Sequence, residues 1–183
     1  MTAIVALVLA LGVAAPQAQD ARAEAERLAA AGAHEEALKR FQAIVDANPD
    51  DVAARMWIGR LYQRMGQPRR AAAIFESIVA TAPEDIEALS GLGVALVDAG
   101  EWSRAEDALR QAERLAPDRV EVLAAQGRLH AANARPTLAL AYNDRILASE
   151  PDNVEVRKLA DSLRATRAHR VTAGYNFQRV DPL

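Results

Sequence analysis

Residues 59–83 read GRLYQRMGQPRRAAAIFESIVATAP. Ile74, Phe75 and Ile78 stand three and four residues apart, the spacing that gathers bulk on one face of an α-helix. Gly66 falls where two helices must reverse, because glycine takes a left-handed conformation cheaply at a helix end. Pro83 closes the segment, having no N–H with which to continue a helix. The layout then repeats. Prolines stand at Pro49, Pro83, Pro117 and Pro151, each 34 residues after the last. Ala37, Ala71, Ala105 and Ala139 keep that interval, as do Gly59, Gly93 and Gly127, and again Gly32, Gly66 and Gly100. A fixed period of this length marks helical hairpins that cannot bury their apolar faces alone and so must stack on one another.

The spacing predicts an all-α fold with helices near 20–31, 34–47, 52–65, 68–81, 86–99, 102–115, 120–132 and 136–148. A ninth, over 154–168, reads as a capping helix whose outer face carries Arg157, Asp161, Arg164 and Arg167. Glu84, Asp85 and Asp118 place carboxylates beside the positive N-terminus of the next helix. Gly93 and Ala105 let two backbones approach closely, and a large side chain at either would force them apart.

These registers resemble the tetratricopeptide repeat (TPR) family, whose pattern runs W-x2-L-G-x2-Y, then A-x3-F, then P. The second repeat matches best, with Gly59, Tyr62, Ala71, Phe75 and Pro83, and Ile58 in place of Leu. The third keeps Leu92, Gly93, Ala105 and Pro117, with Leu96 and Leu109 where aromatics are usual. The first keeps Ala37, Phe41 and Pro49 but has Glu24 and Ala25 in place of Leu-Gly. The fourth keeps Gly127, Ala139 and Pro151, yet carries Gln126, His130 and Asn143 at positions the family makes apolar. The resemblance covers roughly residues 18 to 168 and implies a TPR solenoid of about four repeats, right-handed and curved, with a concave side.

Composition excludes several function classes. The 183 residues hold 22 Lys+Arg against 25 Asp+Glu, a net charge of −3 that argues against a dedicated nucleic-acid binder. The absence of cysteine removes disulfides, Cys-ligated zinc, iron–sulfur clusters, thiol catalysis and a lipoprotein attachment site. Gly91-Leu92-Gly93 opens like a phosphate loop, but Leu96 takes the third glycine's place and no strand precedes it. His34-Glu35-Glu36 opens like a zincin signature, but Leu38 stands where the second His is needed. His34, His130 and His169 fall in different parts of the array, so no metal, no cofactor and no enzymatic activity are expected.

The two ends read differently from the middle. Residues 3–15, AIVALVLALGVAA, carry no charge and fall short of the about 20 residues a membrane-spanning helix needs. With small residues at Ala14, Ala15 and Ala18, residues 1–18 read as a signal peptide, a hydrophobic first helix and a membrane anchor being the alternatives. The repeat domain then spans 19–168 and a tail spans 169–183. In the tail Val171, Ala173, Tyr175 and Phe177 alternate with polar or small residues, which predicts a strand. Leader, repeats and strand together are similar in plan to YaiO-type outer-membrane proteins and to exopolysaccharide-export porins, with periplasmic TPR repeats ahead of a β-barrel. That plan implies a periplasmic module tethered to the outer membrane through a barrel beyond Leu183; a loosely docked tail on a free periplasmic adaptor is the alternative.

In TPR proteins the first helix of each repeat lines the concave face. The resemblance therefore places Arg22 and Glu26, then Met56, Arg60 and Gln63, then Ser90, Val94 and Val97, then Ala124, Arg128 and Ala131 in a partner-binding groove. It implies a small apolar floor flanked by Arg60 and Arg128, suited to an extended peptide or helix bearing an acidic group. Lys and Asn, which the family uses to clamp chaperone C-termini, are replaced by Arg22, Glu26, Arg60 and Val94, which disfavours chaperone docking. Trp57 reads either as a binding anchor or as packing against the first repeat, and Trp102 as structural. The expected function is a non-enzymatic scaffold for protein or peptide partners in the cell envelope, with no nucleic-acid partner.

Overall fold

The computed structural model describes the backbone of residues 19–178 and the side chains of residues 19–166; the leader read at 1–18 lies outside them. The chain divides into two compact units, residues 1–83 and 84–183. The first holds α1 (19–30), α2 (His34–Ala47), α3 (Val52–Arg64) and α4 (Pro68–Thr81). The second holds α5 (Ile86–Asp98), α6 (Trp102–Leu115), α7 (Val120–Ala132), α8 (Pro136–Ser149) and α9 (Val154–Gln178). Every element among the described residues is helical, and the first eight boundaries fall within a residue of those read from the period.

In the first unit Ala25, Ala29, Ala37, Phe41, Ala54, Ile58 and Leu61 form a continuous buried cluster, with Trp57, Tyr62 and Ile74 packed against it. Four of these seven residues are alanines, and Phe41, Ile58 and Leu61 supply the bulk. In the second unit α5 packs on α6 and α7, and α8 packs on α7 and α9. Leu89, Leu96, Leu109, Val122, Leu129 and Ile146 are fully buried there, each worth about 1.5–3 kcal/mol relative to exposure.

The turns explain why the hairpins reverse where they do. Gly32, Gly66 and Gly100 adopt φ of +80°, +66° and +77°. In the fourth repeat the same register holds Ala134, which takes φ +53° with a side chain attached. A parallel lapse occurs at the helix starts. The Asp51 and Asp85 carboxylates accept from the Ala54 and Ala88 amides at 2.9 Å, and Asn153 accepts from Val156 at 3.1 Å. The fourth repeat has Arg119 in that register, and α7 starts without a side-chain cap. We therefore expect Arg119→Asp and Ala134→Gly each to stabilise the second unit and raise its unfolding midpoint, by about 1 kcal/mol of stability for the cap and somewhat less for the turn. Urea titration of each variant checks this; a lowered midpoint in both would contradict it.

One expectation is corrected. Residues 171–178 of the tail are not a strand: α9 runs from Val154 through Gln178, past the expected stop at 168. A lone strand leaves its N–H and C=O groups unpaired, whereas continuing the helix gives each a partner four residues away. Trp102 begins α6 with 38 % of its surface exposed. The side chain of Arg167, read as part of the cap's charged face, lies outside the described side chains.

Candidate functional site

The residues assigned to the groove divide between the units. In the first, α1 carries Arg22 and α3 carries Met56, Arg60 and Gln63. Arg22 donates to Asp51, the same carboxylate that caps α3, so it braces α1 against the start of the next repeat. Arg60 is half-buried and sits 5.3 Å above the ring of Trp57, which in turn stacks on Phe41 at 5.4 Å and 9°. Trp57 is half-buried and takes the packing reading, stacked on Phe41 of the first repeat with the Arg60 guanidinium over its ring. Burial, and secondarily the charge of Arg64, push the Arg60 pKa down. Gln63 is half-buried one turn further on.

In the second unit Val94 is half-buried on α5, and Arg128 is exposed on α7 with its Nη2 donating to Asp98 Oδ1 at 2.5 Å. That pair links α7 to the C-terminal end of α5. The assignment fails for two apolar members. Met56 and Val97 keep only 6 % and 4 % exposure. Their side chains are covered by neighbouring side chains, so they belong to the core and not to an open floor. Ser90 is likewise buried, while Ala124 is exposed and Ala131 half-buried. The accessible members of the assigned set thus include Arg22, Arg60, Gln63 and Arg128 together with Val94, Ala124 and Ala131.

A cluster that sequence reasoning did not assemble lies in the fourth repeat. The Glu113 carboxylate on α6 accepts from Gln126 Nε2 at 2.9 Å, from the Tyr142 hydroxyl at 3.2 Å and from Arg145 Nη1 at 3.3 Å. Arg145 also reaches the Pro117 carbonyl at 2.8 Å and Asp118 at 3.1 Å, and lies 5.7 Å over the Tyr142 ring. Tyr142 stacks on buried His130 at 5.5 Å. Burial and the Glu113 charge raise the Tyr142 pKa, and hydrogen bonds to Asp118 and Glu113 raise that of Arg145. Gln126, His130 and Asn143 were the visible signal, as polar residues at apolar registers. Glu113 was not, because its partners lie 13 to 32 residues away.

One surface recess is lined by Glu24, Leu28, Glu36, Lys39, Arg40 and Ala43, and another, sharing Asp118 and Arg145 with this cluster, by Leu123, Ala148 and Ser149 as well. Among the described residues no three His, Asp or Glu side chains gather as a metal ion requires. None of the described helices is long and apolar enough to cross a membrane.

A family profile described as tetratricopeptide repeat matches residues 28–93 and 64–129. The chain belongs to the tetratricopeptide repeat family. This TPR chain is similar in structure to TTC0263, a thermophilic TPR protein of Thermus thermophilus, at 25 % identity, 82 % coverage of each chain and a TM-score of 0.73. It is also similar to MamA of Desulfovibrio magneticus RS-1, at 17 % identity, 89 % coverage of this chain, 92 % of that one and a TM-score of 0.68. YrrB, a TPR protein with an unusual peptide-binding site, aligns at 17 % identity over 79 % of this chain and 74 % of its own, with a TM-score of 0.64. The likenesses at 17 % establish the TPR solenoid fold alone. No curated protein matches the sequence. TPR proteins act as scaffolds that bind proteins or peptides, and the fold is typically non-enzymatic.

Proposed function

We propose that this TPR chain is a non-catalytic scaffold of the cell envelope that holds an extended peptide or helix bearing an acidic group on its first-helix faces. The observation that carries the reading is Arg60, half-buried and oriented by stacking over Trp57. A guanidinium held in place loses little freedom when it pairs with a carboxylate, so its bidentate bond contributes most of its strength. In the second unit, taken by itself, Arg128 on α7 is exposed and paired with Asp98, a carboxylate that an incoming acid can replace. The structural likeness to YrrB, described as having a peptide-binding site, agrees with a peptide as ligand. Export rests on the uncharged run at 3–15, and service in envelope assembly or polysaccharide secretion on the plan of leader followed by repeats. The strand read at 171–177 no longer supports a barrel tether, because those residues are helical, so the proposal is of a periplasmic TPR adaptor.

Arg60→Glu combined with Arg128→Glu is expected to cut capture of envelope proteins at least about tenfold while the circular dichroism spectrum stays helical. Undiminished capture would remove the groove assignment. Recovery of the protein in the osmotic-shock fraction supports the periplasmic placement, and its retention in the cytoplasm overturns that placement.

A further inference from the structure

Between Val52 and Phe75 the chain has five arginines and no Asp or Glu. Many arginines outside this segment settle on carboxylates, Arg40 on Glu24, Arg110 on Glu106 and Asp107, Arg119 on Glu121, and Arg164 on Asp144 and Asp161, while Arg27 and Arg157 donate to backbone carbonyls. The α3–α4 hairpin gathers three arginines without a carboxylate at one turn. Arg64, Arg69 and Arg70 are all exposed around the turn at 65–67, and among the described residues none of the three pairs with a carboxylate. Arg64 reaches only a backbone carbonyl, Ala29 O at 3.5 Å. Arg70 donates to Gln67 Oε1 at 2.8 Å and lies 5.8 Å over the Tyr62 ring. Arg69 and Arg70 also occupy the first turn of α4, which begins at Pro68 without a side-chain cap or an acidic residue. Cations there are repelled by the helix's positive end, a cost that the contacts of Arg70 with Gln67 and Tyr62 offset only for that side chain.

We propose that the α3–α4 turn is a second docking surface, separate from the first-helix faces, and that it takes a protein segment carrying two or more neighbouring Asp or Glu carboxylates. Charge complementarity argues for the acid, and the arginine fork matches carboxylates bidentately. An anionic membrane is the weaker occupant. Headgroup recognition calls on about 4–8 basic residues, three stand here, and the exposed large hydrophobics, Trp102, Leu115, Leu138, Val154 and Leu159, all lie outside this hairpin. With a net charge of −3 the chain as a whole does not attract polyanions, so any such binding reports a local patch.

The test is fluorescence anisotropy of a labelled oligoglutamate peptide with the full chain, beside flotation with phosphatidylglycerol vesicles. Wild type is expected to bind the peptide at low salt and release it at high salt. Arg64→Gln, Arg69→Gln and Arg70→Gln together are expected to weaken binding at least about tenfold. The triple variant is expected to lose the same factor in an Arg128→Glu background, which separates this surface from the groove cation on α7. If the triple variant loses its helical melt, Arg69→Gln alone, which disturbs no recorded contact, is expected to weaken binding about twofold to threefold. Equal binding by wild type and the glutamine variants, no binding by wild type, or capture of vesicles without the peptide would each overturn the proposal.

Discussion

Alanine at Gly93 is expected to destabilise the second unit by about 2 kcal/mol or more, although alanine is the better helix former by about 1 kcal/mol. A Cβ on Gly93 would stand closer than atoms can to both Cγ and Cδ2 of Leu109, and 3.1 Å from its Cδ1. Leu109 is fully buried, with Ala105 and Ala112, the residues four before it and three after it on α6, also at zero exposure. The leucine therefore has no free rotamer to adopt, and α5 must move away from α6. Urea unfolding measures the loss. The double-mutant cycle makes the mechanism testable: Leu109→Ala alone costs about 2–5 kcal/mol, and adding Gly93→Ala to it is expected to be neutral or stabilising, because the clash is gone. A cycle that proves additive would show that close approach is not why glycine stands there.

The same contact shows why the fold was legible. Gly59 faces Phe75, Gly93 faces Leu109 and Gly127 faces Asn143, so a single offset of sixteen residues encodes the packing of each hairpin, and it recurs every 34 residues. Turn glycines and prolines mark the ends in the same register, which is why the helix boundaries follow from spacing. Spacing fails where partners are set by tertiary neighbours. Met56 and Val97 occupy positions the family turns toward ligand, yet burial depends on what lies across from them, which no local pattern states. Glu113 reaches Gln126, Tyr142 and Arg145 on two other helices. The tail was misread for a related reason. Four alternating residues at 171–177 fit a strand locally, but a strand needs a second one to bond to, and the helix needs only itself.

Acid is expected to weaken the second unit through His130, and His130→Leu to remove that sensitivity. His130 is 8 % exposed, stacked on Tyr142, and its buried Nδ1 has no hydrogen-bond partner. Burial and then the charge of Arg135 push its pKa below the ordinary histidine value, while Glu106 and Glu113 on α6 pull it back only in part. From the other elements packed around α7, Arg145 on α8 is taken up by Glu113 and Asp118, and Asp98 on α5 by Arg128. The folded state therefore prefers the neutral imidazole. Below about pH 6.5 the unfolded chain takes up a proton that the folded chain refuses until a lower pH, so stability rises with pH across that window. The contribution is complete above the unfolded value and is lost as pH falls toward the lowered folded one. Thermal melts at a series of pH values check this, read as wild type minus His130→Leu so that other titrating groups cancel. Two profiles that superimpose would sink the argument. Leucine is the informative replacement because the preceding repeats hold Tyr62 and Leu96 in this register. Restoring the apolar residue removes the titrating group and fills the same space, which ties the acid sensitivity to the one repeat that places a histidine there.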